Sequence, residues 1–471
     1  MSMTAHRQQK WLTAGAGTFV AIAALALTFG ALMLASRVGH PLVIALTVFA
    51  LAGLMTFLLP VDVLPAVALV AYIFIPRTFL ALQSITDVFT PSFIVLLVWA
   101  IRSYSRRTHP KEVFRAPAAA RVLAVVFIVW LIVVMLLNRV IPTSLVWMLD
   151  FAVLVLIPLF VPFTRKTVEN VQRAFLTCAA ILAAYCMIEF ALQFNPVQPI
   201  LATFGIPDVQ HWSVYRSYAT LGHPLYAGLF FAIAFSIALG RKLESRGRFN
   251  LVVAGLSLLG LLTTVSRNSI GAVAIASGVM IIASLVTRSR LSGVTRVTLG
   301  AIVGAAAIGV TQAPVFQDRI DSSEAAGSTA ARDAIVSIAM RAAEADRWLG
   351  GGPGNSLIIA KPYNVRETII ENAYLQLLIS VGLPGLLIFC LIFAGGAFWA
   401  FRTGSLVGLG AVAAYAFSIG FFNILETSGG SLVLGGLVLL LAWGGAATKP
   451  SPEGIGDASL TDAIQTKGRF A

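Results

Sequence analysis

Charge is the first thing this sequence is short of. Lys, Arg, Asp and Glu together make up 11% of its 471 residues, against about 25% in a soluble domain, too few to coat a water-exposed surface. Cysteine is scarce as well. Cys178, Cys186 and Cys390 are the whole complement and all lie in apolar segments, which leaves neither a disulfide framework nor a zinc site. The five histidines are scattered, with no pair at metal-ligand spacing, so no metal site and no cofactor is expected. Alternation of apolar with polar residues is missing, which excludes a closed β-barrel. GGGPGN at 350–355 has no Gly-Lys-Ser/Thr after it and no strand before it, so it is not a nucleotide-phosphate loop.

What is present is apolar length. The chain is 58% hydrophobic with a mean hydropathy of +0.89, and apolar runs of roughly 17–25 residues, the length that crosses a hydrocarbon core, recur from end to end. The expected fold is all-α: a polytopic transmembrane bundle of about 12–14 helices. The spans read as 13–36, 41–60, 63–82, 88–101, 118–138, 146–163, 170–194, 222–239, 249–265, 268–287, 295–311, 373–401, 405–425 and 429–446. The run after MSMTAHRQQK is too long for a cleaved signal peptide and reads as a retained first helix. The regions expected are N-terminal helices over 1–194, further helices over 195–311, an extramembrane loop over 312–372, C-terminal helices over 373–447 and a tail over 448–471.

The net charge of +13 sits in short loops beside apolar runs, a pattern of membrane topology and anionic headgroups rather than of nucleic-acid binding. Arg102, Arg106, Arg107, Lys111 and Arg115 fill one loop, and alternate loops carry Arg165, Lys166 and Arg173, then Arg241, Lys242, Arg246 and Arg248, then Arg288, Arg290 and Arg296. Placing these loops in the cytoplasm puts both termini inside. Arg77, Asp150, Glu189, Arg216, Arg267, Glu371 and Glu426 then fall at or near the outer ends of their helices. Any one of them can snorkel to the headgroups, but such a gathering on one side marks an outward-facing functional cavity.

The 312–372 segment contains RDAIVSIAMRAAEADRWL, which sets Ile335, Ile338, Ala342, Ala345 and Leu349 on one stripe, with Arg332, Asp333, Arg341 and Glu344 on or beside the opposite face. The spacing predicts an amphipathic helix, capped by Ser328 or Thr329 and stopped by GGGPGN. It reads equally as a surface helix resting on the membrane and as a lid over the cavity.

Three patches map to the outer side: YRSYATLGHPLYAG (215–228), SRNSIGA opening at Ser266, and the long segment followed by ENAYLQLLISVGLPGLLIF (371–389). In order and spacing they resemble the O-antigen ligase and O-antigen polymerase family of bacterial membrane glycosyltransferases. That family shows an Arg before a Gly-Asn-Pro-like turn, a Ser-Arg-Gly-like turn, and a periplasmic loop with Arg, Trp and Gly-x-Gly. The loop ends in His-Asn-x-Tyr-Leu, entering a helix with Gly-Leu-x-Gly-Leu. The likeness covers residues 215–389; the rest agrees only as a run of helices.

The resemblance implies a C-type glycosyltransferase architecture in the bacterial inner membrane and metal-independent transfer on the extracytoplasmic side. The implied donor is an undecaprenyl-diphosphate-type saccharide, and the implied acceptor a sugar hydroxyl. A diphosphate leaving group gains negative charge as the glycosidic bond breaks, and guanidinium groups suit it. Arg267, Arg216 and Arg332 are then the expected diphosphate ligands. Glu371 stands where the family's ligases have His. It is read as the general base, or else as the ion-pair partner of a neighbouring arginine. That change favours polymerisation of envelope polysaccharide over ligation of a finished glycan. Asn372 and Tyr374 either orient the acceptor or serve the helix start, His223 either supplies an imidazole or packs in its turn, and Gly382 and Gly385 are read as packing contacts. A transporter would instead show internal repeats and ionisable groups near the bilayer midplane, and no repeat is visible. A non-catalytic partner in envelope assembly would need no arginine cluster.

Overall fold

The computed structural model describes residues 56–75, 90–105, 113–203, 210, 212, 214–244, 248–286, 323–365, 368–427 and 431–445. The expected spans at 13–36 and 295–311, most of 41–60, the tail over 448–471 and Arg77 lie outside the described residues. The helices are α1 (Leu64–Phe74), α2 (Pro91–Ser105), α3 (Ala118–Asn138), α4 (Ile141–Phe160), α5 (Arg165–Leu192), α6 (Gln198–Thr203), α7 (Pro224–Glu244) and α8 (Arg248–Thr263). They continue as α9 (Arg267–Val286), α10 (Ser323–Ala345), α11 (Ser356–Ala360), α12 (Ala373–Thr403), α13 (Leu406–Ile419), α14 (Ile424–Thr427) and α15 (Leu432–Trp443). Two short strands, β1 (Val113–Phe114) and β2 (Phe163–Thr164), pair antiparallel.

Six of these helices, α3, α4, α5, α7, α9 and α12, are long and apolar enough to cross a membrane, so the chain is a polytopic helical membrane protein. In α3, Ala120, Ala124, Phe127, Leu131 and Val134 form a buried stripe. Val122, Val125, Val126 and Val129 stand exposed on the other side, which costs little where the solvent is lipid. α7 is different: every residue from Ala227 to Gly240 is buried. It is the central post, packed against α5, α8, α9 and α13, while α13 in turn packs against α9, α12 and α15.

Most expected spans coincide with helices, but hydropathy marks only their apolar middles. α5 starts at Arg165 rather than 170, because Thr164 and Thr167 form a reciprocal capping box ahead of it. Their hydroxyls also donate to Asp62 Oδ1, at 2.8 and 3.0 Å, which ties the start of α5 to the turn before α1. α4 begins at Ile141 rather than 146, with a proline in its first turn. A π-helical turn at Ala152–Leu156 precedes Pro158. As a result Asp150 lies inside α4, 2% exposed, rather than at a helix end.

α12 departs furthest from expectation. It is two helices joined at Gly382, whose φ of 72° and ψ of 177° are not helical. The rings of Tyr374 and Phe389 are 6.4 Å apart, whereas in an unbroken helix those positions would be separated by about 22 Å along the axis. The first half of α12 therefore folds back towards the second. A broken helix at membrane depth must place its freed backbone groups elsewhere in the protein, and the glycine turn after α10 takes them. Gly351 N donates to Ile379 O at 3.0 Å, Gly352 N to Ser380 O at 2.9 Å, and Leu383 N to Trp348 O at 2.9 Å. Trp130 Nε1 donates to Val381 O at 2.7 Å.

Gly382 and Gly350 are needed for this interlock. A Cβ at Gly382 would stand 2.6 Å from Leu349 O, and one at Gly350, whose φ is 91°, would stand 2.5 Å from Gly382 N. The reading of Gly382 as a plain helix-packing contact is corrected: it is the hinge at which the helix turns back. Gly385 does lie in close contact, against Val381 and Trp130.

Candidate functional site

The polar motifs meet at one end of the bundle, around the close of α13. Arg216 is 6% exposed. Its Nε donates to Thr264 O at 3.0 Å, its guanidinium lies 4.8 Å from the ring centre of Trp212, and its carbonyl accepts from Gln210 Nε2. One residue on, Ser217 N donates to Thr263 O at 3.0 Å. The arginine of the first motif is thus bonded to the turn from which the second motif springs. Val265, at φ 48°, is part of that turn, and Ser266 Oγ accepts from Ser269 N as α9 begins. Arg267 is the first residue of α9 and its side chain is exposed.

From there the contacts run to the third motif. Gly271, one turn into α9, lies against the ring of Phe417. The hydroxyl of Tyr374 donates to Ala416 O at 2.6 Å, and the Tyr374 ring lies against Gly420. Asn372 is the N-cap of α12, its Oδ1 accepting from Tyr374 N at 3.0 Å and Leu375 N at 3.1 Å. Glu371, just before the cap, is exposed. His223 precedes α7, with its Nδ1 accepting from Leu225 N at 3.2 Å and its ring 6.3 Å from Phe422 and 5.7 Å from Trp212. Arg216, Arg267, His223, Asn372 and Tyr374 therefore lie towards one end of the bundle, where α7, α9 and α12 begin. Helix N-termini present backbone N–H groups and a positive dipole end to an anion.

α10 packs on the first half of α12 and on α11. Ile335, Ile338, Ala339 and Ala342 pack on Leu375 and Ile379 of the first half of α12, on Ala360 and on Ile370. The expected stripe is corrected at its far end, because the helix stops at Ala345, and Ala345 and Leu349 are exposed. Ser328 and Thr329 are not caps, since α10 starts at Ser323 and they lie within it. Arg332 lies in α10, one turn before Ile335. The side of α10 that meets α12 shows that this helix rests on the folded-back half-helix.

Glu426 anchors the glycine turn from below. Its Oε2 accepts from Ser356 N at 2.9 Å, and burial pushes its carboxyl up to about 7. Trp147 Nε1 donates to Leu425 O at 2.7 Å and Ser144 Oγ to Pro353 O at 2.9 Å, so α4 grips both α14 and the turn. Asp346, beside Gly351, is also raised by burial. Two partners were missed in the sequence. Trp212 was visible as an aromatic four residues before Arg216, a spacing at which a cation–π contact is worth considering. The Thr264 carbonyl left no side-chain signal at all.

No curated protein matches the chain. A family model described as O-antigen ligase matches residues 252–390, a stretch that runs from α8 through the first half of α12 and its hinge. It contains Arg267, Arg332, Glu371, Asn372 and Tyr374, while Arg216 and His223 precede it. Over residues 252–390 the chain is thus similar to the O-antigen ligase family.

Proposed function

We propose that the protein transfers a glycan from a polyprenyl-diphosphate carrier to an acceptor hydroxyl, in the manner of an O-antigen ligase. The observation that supports this reading is the bond from Arg216 Nε to Thr264 O, which ties the first arginine motif to the turn that leads into the second. In the reaction the acceptor oxygen bonds to the anomeric carbon. The bond from that carbon to the diphosphate breaks, and its electron pair leaves on the phosphate oxygen. Arg216, Arg267 and Arg332 are the groups that stabilise this growing charge, because guanidinium binds phosphate oxygens bidentately and stays protonated. The helix N-termini at that end of the bundle add to the same field. In this reading no metal is required.

Glu371 is the proposed base that takes the acceptor proton. Asn372 fixes the helix start beside it, and His223, stacked on Phe422, is the other group proposed to orient the acceptor. We place this end of the bundle on the extracytoplasmic face, because α7 enters at His223 and leaves through Arg241 and Lys242 at its other end, as positive loops inside the cell require. The lid reading of α10 follows from its packing across the first half of α12.

A second reading, polymerisation of repeat units, has one observation in its favour: Glu371 stands where the family's ligases have His. Deleting the protein separates the two. Finished chains that accumulate on the lipid carrier mean ligation, whereas single units without long chains mean polymerisation. Arg267→Ala should abolish glycan assembly with the protein still in the membrane, and normal surface glycan in that strain would rule out the diphosphate role.

A further inference from the structure

The assignment of Arg216 to the donor diphosphate leaves open what holds it there. The segment that bears it, residues 214–221, is irregular, and an irregular segment fixes a side chain poorly unless its backbone is tied down. Its ties lead to one buried carboxylate. Glu189 lies in the last turn of α5 and is 0% exposed, a position where a carboxylate is costly without hydrogen bonds. Its Oε1 accepts from Tyr218 N at 3.1 Å and from the Tyr215 hydroxyl at 3.2 Å, and its Oε2 accepts from Ala219 N at 2.9 Å.

The two successive backbone N–H groups form a small anion-binding nest, and Ala219 adopts the positive φ of 50° that turns its N–H towards the carboxylate. The contacts bracket Arg216 on both sides. A turn earlier on α5, Cys186 O accepts from Ser217 Oγ at 3.1 Å. Beyond the bracket, Asn195 Nδ2 donates to Ala219 O at 2.9 Å. Opposite α5, the segment meets the Thr263–Thr264 carbonyls that hold Ser217 N and Arg216 Nε. The arginine-bearing segment is therefore clamped between the end of α5 and the turn that leads to Arg267, with Glu189 supplying the charged side of the clamp.

We propose that Glu189 is a positioning residue for the lipid diphosphate: by accepting from the Tyr215 hydroxyl before Arg216 and from the Tyr218 and Ala219 N–H groups after it, it sets that guanidinium beside the α9 start. This rests on the reading of Arg216 as a diphosphate ligand. It needs a carboxylate in particular. Glutamine offers one acceptor oxygen, and its NH2 would face a backbone N–H, donor against donor.

The test measures binding of undecaprenyl diphosphate, with undecaprenol as the headgroup-free control, to the full chain in lipid nanodiscs. Glu189→Gln should weaken undecaprenyl diphosphate about tenfold, the effect of losing a charged hydrogen bond, and leave undecaprenol binding unchanged. Arg216→Ala should weaken the diphosphate lipid at least as much. The double variant should be no weaker than Arg216→Ala alone, because Glu189 acts through Arg216.

If Arg216→Ala binds the diphosphate lipid as the wild type does, the underlying reading of Arg216 fails, and this inference with it. If Arg216→Ala is weakened and Glu189→Gln is not, the positioning role alone is overturned. Additive losses in the double variant, or equal losses for both lipids, likewise overturn it, since they mark a general structural role. Should Glu189→Gln not assemble, Tyr215→Phe, which removes a single donor to the carboxylate, should lower diphosphate affinity selectively; unchanged affinity there counts against the proposal.

Discussion

Replacing Gly382 by alanine probes the interlock between the glycine turn and α12. At φ 72° and ψ 177° the residue occupies a backbone region that is essentially reserved for glycine, and a side chain there costs about 1–3 kcal/mol. Space adds to the conflict. The new Cβ would meet the Leu349 carbonyl carbon and the Trp348 oxygen, with Leu349 O at 2.6 Å; all of these are backbone atoms that cannot rotate away. Relief requires the turn to leave the hinge, which breaks the bonds from Gly351 N, Gly352 N and Leu383 N at about 1 kcal/mol each. The combined loss is roughly 4–6 kcal/mol.

Amide hydrogen exchange reads this directly, because 4 kcal/mol corresponds to about a thousandfold faster opening exchange. Gly351, Gly352 and Leu383 should lose protection together in the Gly382→Ala protein, while amides in the middle of α7 keep theirs. Gly255→Ala is the control: a Cβ there has no neighbour within 4 Å, so it should leave the exchange pattern unchanged and add up to about 1 kcal/mol of helix propensity. Wild-type exchange at Gly351 and Gly352 in the Gly382→Ala protein would refute the interlock.

Three further outcomes are expected. Burial raises the Glu426 carboxyl from 4.5 to about 7, so the folded protein holds a proton there that the unfolded chain gives up. Stability should therefore fall as pH rises through that window, by up to about 3 kcal/mol, and level off above it. Glu426→Gln keeps an acceptor for Ser356 N and should flatten this slope in thermal melts, and an unchanged slope excludes Glu426 as its source. Asn372→Ala removes the acceptor for Tyr374 N and Leu375 N and should cost about 1 kcal/mol, seen as a lower melting temperature. If Glu371 is the base, Glu371→Gln should stop turnover in a reconstituted transfer assay and keep donor affinity; a near-normal rate assigns the proton transfer elsewhere.

The legibility of the sequence divides along physical lines. Span 118–138 coincides with α3 because its ends are marked by Pro117 and by the change from apolar to polar residues. The hinge in LISVGLPGLLIF was invisible, since Gly and Pro within an apolar run are tolerated in membrane helices and hydropathy stays high across them. The turn over 348–352 and Trp130, both distant in sequence, take up the backbone groups that the break frees. GGGPGN reads as the stop of α10, but the helix ends earlier, at Ala345, and the glycines serve close approach to α12, a tertiary demand with no local trace. The arginine motifs could be gathered on one side from positive-loop counting, but the link from Arg216 to Thr264 runs to a carbonyl, which every residue has.

The most direct measurement is the affinity of the wild type, Arg216→Ala and Arg267→Ala for undecaprenyl diphosphate, each against undecaprenol, in nanodiscs at fixed ionic strength. The account expects each variant to lose about tenfold or more of its affinity for the diphosphate lipid, with undecaprenol binding unaltered. Equal affinity of all three proteins for undecaprenyl diphosphate would contradict it.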